Sequence, residues 1–385
     1  MTAAWIVFGL SLAFVLYVLF GYPAMLLMWG SRKQDQPDPP AAGGSLPTIT
    51  IVLAVRNGEV WIGRKLESLR ALDYPRQLLE ILVVSDGSTD RTDEIVRQFP
   101  EAQLIVVPAG GKARALNAGL AKATGELLFF TDVRQQLEPG CLKSLVRRFD
   151  DPAVGVASGE LFIRAEDTSE QESVGLYWRY EKWIRKRHAA IDSVLGATGC
   201  IYMMRRELAS PLPADTLNDD MHLPFQAFFR GYRLAFVEEA RAYDEPTALD
   251  TEFRRKVRTL AGVYQVIGAF PALLGSGNRM WIHFVSHKLG RLLLPFALLA
   301  IGGSSFFLGS PWTQAALLGQ GLIYCLALAD PWLPDGNPVK RVSSVVRTFV
   351  VLMGAAFCAA SILFRSSDSF WTKPTSGREA APQGS

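Results

Sequence analysis

Four acidic residues in three short runs are where this chain is best equipped for chemistry. Asp86 lies in Val83-Val84-Ser85-Asp86-Gly87-Ser88-Thr89-Asp90, Asp132 closes Leu127-Leu128-Phe129-Phe130-Thr131-Asp132, and Asp219-Asp220 follow Leu217-Asn218. A carboxylate at a strand end can accept hydrogen bonds from a base or ribose, hold a hard cation, or take a proton from a hydroxyl. Two further runs supply cations. Val55-Arg56-Asn57-Gly58-Glu59 closes a β-branched run. Gly110-Gly111-Lys112-Ala113-Arg114-Ala115-Leu116-Asn117 joins flexible backbone, two cations and a helix start, which suits a diphosphate. Singly, each run has a plainer reading: Asp86 as a cap, Gly110–Lys112 as a solvated basic turn, Asp219-Asp220 as an acidic turn before a helix beginning near His222.

The elements that must position these residues alternate. Thr48–Val55, Glu80–Ser85, Gln103–Val107 and Glu126–Asp132 read as strands. Helical spacing separates them, with Ile62, Leu66, Leu69 and Leu72 in the first interval, then Arg91–Phe99 and Ala113–Ala123. Such alternation predicts an α/β fold, a mostly parallel sheet with helices on both faces. Ligands on such sheets bind beyond the carboxyl ends of the strands, where Asp86 and Asp132 fall. Past Pro139 the pattern loosens. Val154–Ser158 and Gly199–Met204 are expected as strands, and Gln171–His188 as a helix carrying Tyr177, Trp178, Tyr180 and Trp183. An aromatic stripe of that spacing is more often core than ligand platform. Gly196-Ala197-Thr198-Gly199 is either a turn that needs glycine or part of a pocket wall.

The ends of the chain are apolar. Residues 4–29 and 292–329 contain no Asp, Glu, Lys or Arg. A spanning helix takes roughly 20 apolar residues, so the first stretch crosses a bilayer once. It lacks a basic n-region and is too long for the apolar core of a signal peptide. The second stretch is too long for one crossing and turns at Gly309-Ser310-Pro311, and a last span runs from Ser344 to Phe364. Arg254–Met280 is basic, then apolar and broken by Pro271, Gly275 and Gly277, so it reads as an interfacial segment. The organisation expected is a first span at 1–30, a linker at 31–47, a polar domain at 48–260, an interfacial segment at 261–288, three spans at 289–365 and a tail at 366–385. Arg32, Lys33, Arg279, Lys288, Arg291, Lys340, Arg341 and Arg347 flank the spans. By the positive-inside rule the polar domain is cytoplasmic at the plasma (inner) membrane and the N-terminus lies outside.

A net charge of +3 gives no case for nucleic acid. Cys141, Cys200, Cys325 and Cys358 lack metal-type spacing and read as free thiols. His188, His222, His283 and His287 show no ligand clustering in sequence.

Taken jointly, the motifs over residues 48–260 resemble glycosyltransferase family 2, the inverting nucleotide-sugar enzymes of GT-A fold. The flanking spans resemble its membrane synthases, such as the cellulose, hyaluronan and poly-N-acetylglucosamine enzymes. The resemblance implies a nucleotide-sugar donor, a UDP-sugar by the family's habit, and transfer to a growing glycan or lipid-linked acceptor. It places Arg56, Asn57, Asp86, Lys112, Asn117 and Asp132 at the donor. Asp220 matches the family's general base, with Asp219 before it. Arg255-Lys256-Val257-Arg258 resembles the Gln/Arg-x-x-Arg-Trp motif, so Arg255 joins the donor site and Arg258 faces the leaving diphosphate.

Two positions depart from the family. Asp132 matches the first acid of Asp-x-Asp, but Arg134 replaces the second and cannot ligate the Mg²⁺ or Mn²⁺ normally held there. Either Arg134 takes over part of the charge on the diphosphate, or a metal relies on Asp132 with other groups. Thr259 stands where processive members carry Trp, which points away from long-chain polymerisation. The alternatives are a single transfer to a polyprenyl phosphate or lipid head group, or a non-catalytic nucleotide-sugar-binding regulator or export partner. Membrane lipid and export or assembly proteins are the further partners implied.

Overall fold

Runs buried on both faces form the middle of the sheet. The computed structural model describes residues 2–30, 45–163, 169–245, 249–334 and 337–370. Most of the 31–47 linker, the side chain of Trp178 and the tail beyond residue 370 lie outside the described residues. Helix α1 (Thr2–Leu16), a π-helical turn (Tyr17–Gly21) and α2 (Tyr22–Gly30) make the first apolar rod. The polar part follows as β1 (Ile49–Val55), α3 (Glu59–Arg70), β2 (Leu79–Asp86), α4 (Thr92–Val96), β3 (Ala102–Val107), α5 (Lys112–Lys122) and β4 (Leu127–Phe130). It continues through β5 (Gln136–Leu137), α6 (Cys141–Val146), β6 (Val154–Ile163), α7 (Ser169–Ile191), β7 (Tyr202–Arg205), α8 (Asp219–Phe229), β8 (Arg233–Asp244) and α9 (Leu249–Ala269).

One eight-stranded sheet runs in the order β3-β2-β1-β4-β7-β6-β8-β5. Strands β3, β2, β1 and β4 are parallel, with Val55 opposite Ser85 and Asp86 opposite Val107. Their carboxyl ends therefore open on one rim. The β4–β7, β7–β6 and β8–β5 pairs are antiparallel, and β6–β8 is parallel. The β5 and β8 strands were not foreseen: Glu238, Glu239 and Arg241 give β8 the charge of a loop, while Leu234 is buried in one core and Val237, Ala240 and Ala242 in the other. Two cores flank the sheet, one under α3 and α6, the other under α5, α8 and α9.

Among the described residues, four helical rods are long and apolar enough to cross a membrane: Thr2–Trp29, Trp281–Ser305, Trp312–Trp332 and Pro338–Leu363. The second comprises α10 (Trp281–His283), a π-helical stretch (Phe284–Leu289) and α11 (Gly290–Ser305); α12 (Trp312–Ala329) and α13 (Pro338–Ala359) follow. The second and fourth rods start earlier than the hydropathy reading, because Lys288 and Lys340 are tolerated inside them. The boundary expected at residue 260 falls within α9, whose apolar face reaches Ala355, Ala356 and Ala359 of α13. That amphipathic helix docks on a span and leaves its basic residues toward the sheet rim.

Candidate active site

The rim is built by loops tied to one another. Asn57 adopts φ of 50°, in the left-handed region that Asn tolerates, and its side-chain oxygen accepts from the Thr89 amide at 2.8 Å. This holds the loop after β1 to the loop after β2 and places Arg56 3.9 Å from Asp86. Asp86 is 4% exposed. Its carboxylate accepts from the amides of Gly110 (2.7 Å) and Gly111 (3.0 and 3.1 Å). Gly111, at φ of 91°, turns the chain directly into α5, whose first residue is Lys112. Asp86 thus fixes the loop that aims Lys112.

Lys112 meets the acids. Its ammonium donates to Asp132 at 2.9 Å and lies 3.1 Å from Asp219. Burial alone would drive off its proton, but Asp132 and Asp219 outweigh it and raise its pKa, so it stays charged. Burial likewise pushes Asp132 up, and Lys112 more than offsets this, so Asp132 is held below the usual carboxylate range. Asp219 and Asp220 open α8 rather than precede it. Burial, then the charge of Asp219, pushes Asp220 up to about 6 against the pull of Lys112.

The Gly196–Gly199 loop wraps Asp220. The Ala197 amide donates to the Asp220 carbonyl at 2.7 Å. A Cβ on Gly199 would sit 3.0 Å from the Asp220 carboxylate, so a larger residue there would press that carboxylate out of place. From the other side α9 docks through Asn218, whose amide donates to the Thr259 carbonyl at 2.8 Å. This brings Arg258 into the field of Asp132, Asp219 and Asp220, which partly offset the lowering of its pKa by burial and Arg255. Arg255 acts on Asp132 in the same way. Residues far apart in the chain therefore form one cluster: Asp132, Lys112, Asp219, Asp220, Arg255 and Arg258.

Residues 50–212 match the family described as glycosyl transferase family 2, and residues 135–360 match glycosyl transferase family group 2. The chain is a family 2 glycosyltransferase.

The glycosyltransferase is 26% identical over 318 residues to an N-acetylglucosaminyltransferase of Mesorhizobium japonicum, covering 76% of this chain and 74% of that protein. It is 28% identical over 245 residues to the probable glycosyltransferase YdaM of Bacillus subtilis, covering 59% of this chain and 58% of that relative's length. Among solved structures it resembles the mannosyltransferase PcManGT of Pyrobaculum calidifontis, in complex with GDP-Man and Mn²⁺. The TM-score is 0.73 at 23% identity, covering 93% of this chain and 99% of that one. This likeness shows the GT-A fold.

Two expected donor residues of the glycosyltransferase are engaged elsewhere. The amide of Asn117 donates to the Leu212 carbonyl and accepts from the Leu212 amide, each at 2.8 Å. It clamps the segment leading to α8 instead of offering a free group to a donor. Arg134 donates to Asp244 at 2.5 Å, beside Gln135 at 2.7 Å, so its charge is met by a buried carboxylate instead of a diphosphate. Thr259 bonds back to the Arg255 carbonyl at 2.9 Å, and Trp183 packs with Tyr22, Leu26 and Ile184.

Two residues of this glycosyltransferase escaped sequence reasoning. Lys65, fully buried, donates to Thr131 and to the Gln135 carbonyl, each at 2.7 Å, and so holds the end of β4 under Asp132. Its signal was a lysine on the apolar stripe of Ile62, Leu66 and Leu69. Tyr202, on β7, is fully buried and stacks on Phe130 at 4.7 Å; its hydroxyl has no hydrogen-bond partner among the described residues and stands in the field of Asp219 and Asp220. An apolar-looking strand gave no sign of it.

A divalent ion has two candidate carboxylates here, Asp132 and Asp219. Arg134 supplies no oxygen, and among the described residues no three His, Cys, Asp or Glu side chains converge as a ligand set. Asp132 and Asp219 nonetheless flank an ammonium as carboxylates flank a cation. Magnesium-type ions in nucleotide enzymes take one or two carboxylates and complete their shell with phosphate oxygens and water. The donor set fits an ion of that kind.

Proposed function

We propose that this glycosyltransferase moves a sugar, with inversion, from a nucleotide diphosphate donor to a hydroxyl of a lipid-linked or glycan acceptor at the membrane surface. The observation that carries the reading is the meeting of Asp220, poised near neutrality, with Lys112, Arg255 and Arg258 at one rim. Asp220 takes the proton of the acceptor hydroxyl as its oxygen bonds to the anomeric carbon. The carbon–oxygen bond to the diphosphate breaks, and the electron pair leaves with the nucleoside diphosphate. A positioned base of this kind contributes roughly 10²–10⁴-fold. Lys112, Arg255 and Arg258 stabilise the charge gathering on the leaving group. Where a divalent ion is bound, Asp132 would hold it together with donor oxygens, and it would neutralise part of that charge. Arg56 and Asp86 border the nucleoside end, with Asn57 holding their loops together.

A UDP-sugar is the donor class we favour, in keeping with the N-acetylglucosaminyltransferase relative. Thr259 in place of a stacking aromatic supports transfer of one or a few sugars over long-chain synthesis. The basic residues flanking the rods support a cytoplasmic site beneath the inner leaflet.

The test is Asp220→Asn in the full chain. Transfer of radiolabelled sugar should fall by about 10³-fold or more, the upper range for a lost general base, while nucleoside diphosphate binding by calorimetry stays within a factor of two or so of native. Loss of nucleotide binding, or retained transfer, would remove Asp220 from the role of base.

A further inference from the structure

Behind Asp220 lies a second group of cations, at the junction of α7, the first rod and the second. Arg185 donates to Thr198 (2.7 Å), Ser158 (3.3 Å) and the Gly196 carbonyl (3.0 Å), all neutral oxygens. The loop that receives Arg185 is the one that wraps Asp220. One turn earlier on α7, Glu181 is shared by Arg291 and by His287, whose Nε2 lies 3.2 Å away. Lys288 follows His287 in the π-helical stretch. It is partly buried and, among the described residues, has no ion pair within 4.0 Å and makes no hydrogen bond, yet is near enough to Asp220 to act on its charge. Glu181, which is bonded to Arg291 and His287, and Asp220 act on both Arg185 and Lys288 from further off, and Glu160 acts on Arg185, but among the described residues none of these acids is ion-paired to either cation. On the far side Tyr22 bonds to His188 at 2.5 Å and His283 at 3.1 Å, which closes the junction without adding a carboxylate.

A cation that is not ion-paired in a partly buried position near the membrane surface is costly, and such residues mark sites of function. The π-helical distortion that carries Lys288 is of the kind that recurs at such sites. The diphosphate already has Lys112, Arg255 and Arg258 on the other side of Asp220.

We propose that this junction is the acceptor's anchoring subsite, that it takes a phosphate group borne by the hydroxyl acceptor, and that Lys288 and Arg185 are its cations. The proposal rests on the sugar-transfer reading above. It narrows the acceptor to a hydroxyl compound that also carries a phosphate. With Lys288 in the second turn of a rod, the anchored phosphate lies at head-group depth while the hydroxyl reaches Asp220.

The test uses the purified full chain in maltoside micelles and four probes: dioleoylphosphatidylglycerol, dioleoylglycerol, glycerol 1-phosphate and glycerol. Binding is followed by native mass spectrometry for the lipids and by calorimetry for the soluble pair. The phosphate-bearing member of at least one pair should bind, and Lys288→Gln should weaken it by about 10-fold, the effect of one charge-assisted contact. Lys288→Arg should restore binding, and Arg341→Gln, at the exposed start of another rod, should leave it unchanged. Preference for the lipid over glycerol 1-phosphate assigns the site to a membrane acceptor; equal binding assigns it to a soluble one. Two outcomes overturn the proposal: Lys288→Gln without effect on either phosphate probe, or Lys288→Gln weakening nucleoside diphosphate binding, which would give the cation to the donor. Either leaves the Asp220→Asn result standing, so the two readings fail separately.

Discussion

As the proposed base, Asp220 sets the pH behaviour expected of transfer. Its pKa is raised from 3.8 to about 6, because burial and the neighbouring Asp219 both penalise the ionised form. As a base it works only when ionised, so transfer should lose its rate as pH falls through about 6, with a slope of one proton. The stability consequence has the opposite sense. A raised folded-state pKa means that the folded chain binds the proton more tightly than the unfolded one. Stability therefore falls as pH rises from 3.8 to about 6 and is flat above that. Asp220→Asn should equal or exceed the native thermal midpoint at about pH 7.5, with the gap closing near pH 4. A variant less stable at the higher pH would show that the carboxylate is held by favourable contacts. At this scale the placement of Asp86, Lys112, Asp132 and the acidic pair along one rim was legible, because strand-end acids and a glycine-lysine helix start keep their spacing in sequence. Lys65 and Tyr202 were not, since burial is a property of neighbours and leaves little trace in a single residue type.

Elements decide which motif residues touch ligand and which hold the frame. Asn117 sits in a motif that the family uses at the donor, yet both ends of its amide are bound to the backbone of Leu212. Asn117→Ala should therefore cost about 1–3 kcal/mol of stability through two unsatisfied backbone groups, with nucleotide affinity little changed. Denaturation and calorimetry on the same preparation check this; a large loss of affinity at unchanged stability would return Asn117 to the donor. Arg134 is explained in the same way by β8, a strand whose mixed charge hid it. Only when β8 pairs with β5 and β6 does Asp244 come under Arg134. The parallel half of the sheet was plain in sequence because its strands are apolar runs between helical intervals. The antiparallel half was not, because short or charged strands carry a weak period.

At the scale of the whole molecule, the apolar rods form the floor on which the site rests. The fourth rod supports α9 and hence Arg255 and Arg258. Its start is fixed to the third rod by Asp330, which is fully buried. Asp330 accepts from Ser343 at 2.6 Å and Ser344 at 2.9 Å and pairs with Lys340 and Arg347, each at 3.3 Å. Asp330→Ala would take the shared carboxylate from Lys340, Arg347 and two serines, at a cost of about 3–5 kcal/mol. The full chain in detergent should then melt at a lower temperature and lose transfer with it, and an unchanged melting curve would show that the rods hold together without this clamp. The number of rods, the α/β class and the identity of the strand-end acids followed from the sequence alone, because hydropathy and period are local quantities. The closing of Lys112 on Asp132 and Asp219, the diversion of Arg134 to Asp244, and the cations gathered behind Asp220 were settled only by the tertiary structure. Each depends on which distant charges share one low-dielectric space, and that is fixed by packing between segments that sequence leaves far apart.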